Sequence, residues 1–175
     1  MSVGSDSSHF VVDAAAALLP LVPEARRALD IAMGKGRHAL PLARMGWQVF
    51  GVDRDFKALR SAKEQTQREG LRLRAWCADL VESPLPESAA ELVLVTRYLQ
   101  RDLFAAMCRA VVPGGAVVYE TFTTAQRALG RGPTSPDHLL RPGELRTRFE
   151  TFEIVFYEET RSPEAVARLI ARRLR

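Results

Sequence analysis

Asp30-Ile31-Ala32-Met33-Gly34-Lys35-Gly36-Arg37-His38 closes a short apolar run and opens a helix-like segment. Its glycines let a strand turn into a helix while leaving the backbone open to a ligand. The next apolar run, residues 47–52, leads into Asp53. An acidic residue about twenty positions beyond such a turn can hold a ribose at the end of the second strand. The stretch therefore predicts an α/β sheet, mostly parallel, with its ligand at the carboxyl ends of the strands.

Outward from this point, strand-like and helix-like runs alternate. Residues 10–19 are apolar and alanine-rich, stop at Pro20 and Pro23, and read as a leading helix. Residues 28–33 form the first strand, and the helix after Gly36 carries Leu40, Leu42 and Ala43 up to a cap at Gly46. Residues 55–69 place Phe56, Leu59 and Ala62 at helical spacing. In residues 71–78, Leu71, Leu73, Ala75 and Cys77 alternate with Arg72, Arg74 and Trp76, so a third strand is expected with Cys77 in the core. Residues 83–87 read as a loop, residues 91–96 as a buried central strand, and residues 102–112 as a helix. Pro113-Gly114-Gly115 is expected to turn the chain into a strand at residues 116–119. A long loop over residues 121–142 reads as a lid, followed by a short helix at 144–149 and a strand at 152–157. The last segment carries conflicting signals. Ser162-Pro163-Glu164-Ala165 has the composition of a helix start, yet residues 166–174 are short and basic. The two final strand candidates lie too close for a crossover helix, so an antiparallel hairpin is the expectation.

The 175 residues make one domain, residues 1–175, with a core of ordinary size and a polar, frayed start at residues 1–8. The net charge is +4, with basic residues interleaved among acidic ones until Arg172-Arg173-Leu174-Arg175, so nucleic acid is not an expected partner. Cys77 and Cys108 have neither metal-ligand spacing nor a disulfide framework, which fits a cytoplasmic protein. No run reaches the roughly twenty apolar residues of a membrane span.

Gly34-Lys35-Gly36-Arg37-His38-Ala39 also satisfies the dinucleotide pattern Gly-x-Gly-x-x-Gly/Ala, so the glycines alone leave NAD open. The chain has little room for the second catalytic segment of a dehydrogenase. Ala78-Asp79-Leu80 adds a third acidic strand end, one able to accept from an adenine amino group. Asp30 at the turn, Asp53 for ribose and Asp79 for the base then serve an adenosine-containing cofactor.

The order Asp30-x-Ala-x-Gly-x-Gly36, Asp53, Ala78-Asp79-Leu80 and Pro113-Gly114-Gly115 resembles class I S-adenosylmethionine-dependent methyltransferases over nearly the whole chain. Thr96-Arg97-Tyr98-Leu99-Gln100-Arg101, Tyr119-Glu120-Thr121-Phe122 and Leu139-Leu140-Arg141-Pro142-Gly143-Glu144-Leu145 are similar to a small bacterial group described as tellurite-resistance protein B-like. The resemblance implies a Rossmann-like, seven-stranded sheet with helices on both faces and the last strand antiparallel. It implies S-adenosylmethionine as cofactor, S-adenosylhomocysteine as product, and no metal. Carried over by position, the cofactor residues are Asp30, Ala32, Gly34, Gly36, His38, Asp53, Arg54, Ala78, Asp79, Leu80, Thr96 and Arg97. Ala32 departs from the pattern, standing where the first glycine is usual; alanine narrows that approach least.

Methyl transfer from a sulfonium asks mainly for alignment and exclusion of water. Arg97, Tyr98 and Glu120 are the catalytic candidates, with Tyr119 a further proton acceptor. Arg101, His138 and Arg141 are substrate candidates, since guanidinium forks match oxyanions. The fourth strand does not end in Asn/Asp-Pro-Pro-Tyr/Phe, and no Pro-Cys or Thr-Cys pair offers a nucleophile for cytosine. A small-molecule acceptor, such as a thiol or chalcogen oxyanion, is the expectation. An RNA or protein methyltransferase and a catalytically silent cofactor-binding module are the alternatives.

Overall fold

The computed structural model describes residues 8–22 and 25–175, so the expected fraying of residues 1–7 lies outside the described residues. Seven strands form one sheet: β1 (Arg27–Ile31), β2 (Gln48–Asp53), β3 (Leu73–Cys77), β4 (Ala90–Thr96), β5 (Val111–Phe122), β6 (Glu153–Glu159) and β7 (Val166–Arg172). Their order is β3-β2-β1-β4-β5-β7-β6. The first five run parallel, and β7 lies antiparallel between β5 and β6. The expected Rossmann-like sheet with a closing antiparallel hairpin is what the chain forms.

Strand alternation sends successive side chains to opposite faces. On one face, Ala28, Val49, Leu92, Leu94 and Val118 pack under α1 (His9–Leu18), α2 (Ala39–Arg44) and α3 (Phe56–Arg68). On the other, Leu29, Ile31, Val93, Val95, Val117 and Leu169 pack under α4 (Phe104–Ala110) and α5 (Glu144–Arg148). Asp55 starts α3 by accepting the backbone N–H groups of Lys57 and Ala58 at 2.9 and 3.1 Å, a cap worth about 1 kcal/mol.

Two expectations are corrected. Cys77 is exposed, because β3 is an edge strand and the segment from Ala78 to β4 forms no helix to cover it. Pro113-Gly114-Gly115 lies within β5, not before it: Ala90 pairs with Val111 but Leu92 with Ala116, so the intervening residues bulge. Gly115 permits the bulge, since a Cβ there would lie 2.8 Å from the Glu91 carbonyl oxygen. Ser162-Pro163-Glu164-Ala165, whose helix-start composition conflicts with a hairpin, forms a bend into β7, in line with the hairpin expectation.

The segment read as a lid is tied down. Thr124 and Leu140 are joined backbone to backbone, Leu139 and Leu140 are fully buried, and Gln126 accepts the Ala165 N–H at 2.7 Å.

Candidate functional site

The strand ends of β1, β2, β4 and β5, with the turn after β3, surround a crevice with two lobes. The first, about 650 Å³, is lined by Ala32, Asp53, Arg54, Ala78, Asp79 and Leu80 along one wall and by Arg97, Tyr98, Phe122 and His138 along the other. The second, about 680 Å³, is bordered by Gly34, Gly36, Arg37, Thr96 and Arg97. Ala32 and Arg97 line both lobes and have positive φ, 55° and 52°. Two non-glycine residues in this region, where strain of about 1–3 kcal/mol is stored, mark the junction of the lobes.

The glycine turn is held from β2. Asp53 Oδ2 accepts the Gly34 N–H at 2.8 Å and Oδ1 accepts the Asp55 N–H at 2.8 Å. A Cβ on Gly34 would meet nothing within 4 Å, so its exposed side is open; on Gly36 it would touch the Ala62 Cβ at 3.0 Å, so Gly36 is the contact with α3. Beneath the turn Asp30 is 1% exposed, and neither of its carboxylate oxygens has a hydrogen-bond partner among the described residues. Burial pushes its pKa up to about 7 against the pull of Arg37, with Asp53 adding to the rise.

His38 is buried and lines neither lobe, which corrects its expected place against a ligand. Its Nε2 accepts the Ser8 N–H at 3.0 Å, so Nδ1 carries the proton and donates to Thr96 Oγ1 at 3.2 Å. Burial, with Arg37 and Arg97 nearby, lowers its pKa to about 3 and keeps the ring neutral. Ser8, expected in a frayed end, is therefore part of the support under the turn.

The candidates on the far wall divide sharply. Arg97 donates its backbone N–H to the Glu120 carbonyl at 2.8 Å, pairs with Glu164 at 3.0 Å and lies over the Phe122 ring. Tyr98 borders the crevice and donates its hydroxyl to Gln100; burial and then Asp79 raise its pKa, so it is a neutral phenol. His138 also reaches the crevice. Glu120 does not: it is buried and held by Arg168 at 2.6 Å. Tyr119 is fully buried, donates to the Tyr98 carbonyl at 2.9 Å and has its pKa raised by burial. Arg101 is spent on Glu144 at 2.7 Å and on the Leu139 carbonyl at 3.0 Å, and Arg141 lines neither lobe.

Sequence reading missed Arg37, Val81, Leu99, Gln100, Phe122 and Pro133 on the crevice walls. Arg37, Val81 and Gln100 each directly follow, or lie within two residues of, a motif position, which was the available signal. Phe122 closes the quoted motif that begins at Tyr119, whereas Pro133 comes to the site only through the tertiary fold. Among the described residues, no group of three His, Cys, Asp or Glu side chains is placed to hold a metal ion. No described helix is long and apolar enough to cross a membrane.

Comparison with known proteins agrees with this layout. The family described as Methyltransferase domain matches residues 28–115, half of the chain. A ubiquinone biosynthesis O-methyltransferase from Rhodopseudomonas palustris is 27% identical over 152 residues, covering 76% of this chain and 59% of that protein. The chain spans about half the length of the curated relatives it matches. TehB from Haemophilus influenzae superposes with a TM-score of 0.80 at 18% identity, covering 97% of this chain and 63% of that one. An S-adenosylmethionine-dependent methyltransferase from Mesorhizobium loti gives a TM-score of 0.71 at 22% identity, covering 93% and 100%. With the family matched from β1 into the β5 bulge and the sheet order in place, the chain belongs to the methyltransferase-domain family and has the class I S-adenosylmethionine-dependent methyltransferase fold.

Proposed function

We propose that this protein transfers a methyl group from S-adenosylmethionine to a small-molecule acceptor in the crevice above β4. The observation that carries the reading is the first lobe itself, where Asp53 and Asp79, the carboxylates of two neighbouring strand ends, share one wall with Ala32.

The residues fit the donor. Asp30 is fully buried beneath the turn and lines neither lobe, so it acts on a ligand there through the turn it underlies. The open side of Gly34 gives backbone approach beside it. Asp53 and Asp79 suit the hydroxyls and amino group of an adenosine. When bound, the donor supplies an electrophilic methyl on a sulfonium whose thioether leaves readily. The chain's part is alignment for in-line displacement and exclusion of water. Phe122, Pro133 and Leu99 provide apolar wall, while Arg97 and Tyr98 flank the point where the lobes meet. Tyr98, a neutral phenol, orients by hydrogen bonding; His138, exposed at the mouth, is the group able to take up a released proton. A thiol, a chalcogen oxyanion or a phenolic hydroxyl all belong in the acceptor class we favour. Two free cysteines suit a cytoplasmic setting.

The test is incubation of the purified protein with methyl-labelled donor and a panel of such acceptors, with total RNA and protein as parallel arms. Label in low-mass products supports the reading; label confined to RNA or protein overturns the acceptor class. Asp53→Ala is expected to weaken donor binding by about 10- to 100-fold in calorimetry, since it removes a charged partner and frees the turn. Unchanged affinity would reassign the first lobe.

A further inference from the structure

Arg97, at the junction of the two lobes, is a cation whose charge is met but whose donors are not all used. Both carboxylate oxygens of Glu164 take the same nitrogen, Nη2, at 3.0 and 3.3 Å. A guanidinium spreads its donors over three nitrogens, and Nε and Nη1 of Arg97 have no hydrogen-bond partner among the described residues. Glu164 reaches Arg97 from the bend before β7, and that bend is fixed on both sides. The Glu164 carbonyl accepts Thr160 Oγ1 at 2.8 Å, the Ala165 N–H donates to Gln126 at 2.7 Å, and Arg131 donates to the Pro163 carbonyl. The carboxylate is thus delivered by pinned backbone, not by a free loop. Glu164 itself lines neither lobe, so its effect on a ligand passes through Arg97.

Beyond Arg97, the far wall of the first lobe consists of Tyr98, Leu99, Gln100, Phe122, Pro133 and His138, with no other Lys or Arg. The guanidinium lies over the Phe122 ring, 5.4 Å from its centre. Arg54 shares the opposite wall with Asp53 and Asp79, and Arg37 borders only the second lobe. An anion seated against the far wall would meet a cation already balanced, and would lie close to the like charge of Glu164. A neutral group would meet apolar surface and unspent N–H donors. We infer that Glu164 sets the acceptor selectivity of this site by balancing Arg97. The acceptor is uncharged, with a hydrogen-bond-accepting atom for Nε or Nη1 and an apolar body for Phe122 and Pro133; carboxylates and oxyanions are turned away. The inference rests on the small-molecule reading above and narrows it, since a chalcogen oxyanion then leaves the acceptor class. The acceptor sulfur or hydroxyl oxygen takes the methyl as the donor's carbon–sulfur bond breaks, and its own proton is released. Rejecting a competitor by a fixed like charge is a general route to specificity.

Methylation of charge-matched pairs by the full chain tests it, with mercaptopropionate against its methyl ester and para-hydroxybenzoate against its methyl ester. Wild type is expected to favour the ester of each pair it methylates by about 10-fold in kcat/KM, a test that needs no variant. Glu164→Gln keeps the shape and one acceptor but removes the charge. It should move each ratio toward the carboxylate by about 5- to 10-fold, chiefly through KM. Glu164→Asp retains the charge and should stay near the wild-type ratio, and saturable donor binding in calorimetry reports that both variants are folded. A wild-type preference for the carboxylates, or a ratio that Glu164→Gln leaves in place, overturns the inference while the small-molecule reading stands. If wild type binds the donor yet methylates no small molecule, the small-molecule reading fails and takes this inference with it.

Discussion

Asp30 and His38 lie on either side of one turn and titrate in opposite senses. The carboxyl of Asp30 is raised to about 7 by burial, so between pH 4 and 7 the folded chain holds a proton that the unfolded chain has released. Stability from this group falls as pH rises through that window. His38 is lowered to about 3, so from about pH 6.5 down to 3 the unfolded chain binds the extra proton and stability falls as pH drops. The two slopes cancel where they overlap. Asp30→Asn removes one of them: its stability relative to wild type should climb by about 1.4 kcal/mol per pH unit from pH 4 to 7 and level off above. Urea midpoints across pH read this, and parallel curves for the two proteins would refute the assignment. Glu120 gives a second prediction at this scale. Because Arg168 is partly exposed and keeps Glu158 at 3.4 Å, Glu120→Ala should cost only about 1–2 kcal/mol, mainly the lost charge-assisted hydrogen bond. Glu120→Gln, which retains an acceptor, should keep the turnover of the folded enzyme, as a catalytic carboxylate would not. Glu120 and Arg101 looked available in the sequence because their partners, Arg168 and Glu144, stand 48 and 43 residues away. Adjacency along the chain carries no sign of such pairs.

Among elements, the turn between β1 and α2 separates two uses of glycine. Gly34 and Gly36 both have positive φ, 55° and 74°. Gly36 abuts α3, so Gly36→Ala should lower stability by about 2–4 kcal/mol, combining left-handed strain with overpacking against Ala62. Gly34 faces open space, so Gly34→Ala should cost only the backbone strain of about 1–2 kcal/mol. Its new methyl group should instead impair donor binding at least as strongly as Asp53→Ala. Thermal unfolding and calorimetry on the pair give the contrast, and equal losses of affinity and stability in both variants would sink it. Elements with strong periodicity were readable in advance: α3 from Phe56, Leu59 and Ala62, and β4 from its unbroken apolar run. The β3 alternation misled because period two tells which residues share a face, not whether a helix covers it. The helix-start signature before β7 did not prevail because it is local, whereas pairing to β5 and β6 runs the full length of the strand.

At the scale of the molecule, the crevice couples ligand to fold, since its walls come from strands on both sides of β1. Donor at a hundred times its dissociation constant should add about 2.7 kcal/mol to unfolding. Thermal shift with S-adenosylmethionine, S-adenosylhomocysteine and NAD in parallel checks this; stabilisation by NAD alone would overturn the donor. The architecture itself was legible because acidic strand ends and a glycine turn in this order occupy one edge of a parallel sheet. On the far wall Arg97, Tyr98 and His138 were legible too, whereas Pro133 reaches it only after the chain has closed on itself.

The place of β7 has a consequence for synthesis. β6 leaves the ribosome first but pairs with the sheet only through β7, so it has no strand to pair with when it emerges. Until β7 follows, β5 presents a long unsatisfied border of N–H and C=O groups, the kind of rim to which stray chains adhere. Nascent molecules stalled between these two strands thus carry an open strand border that invites aggregation and that a chaperone has reason to shield.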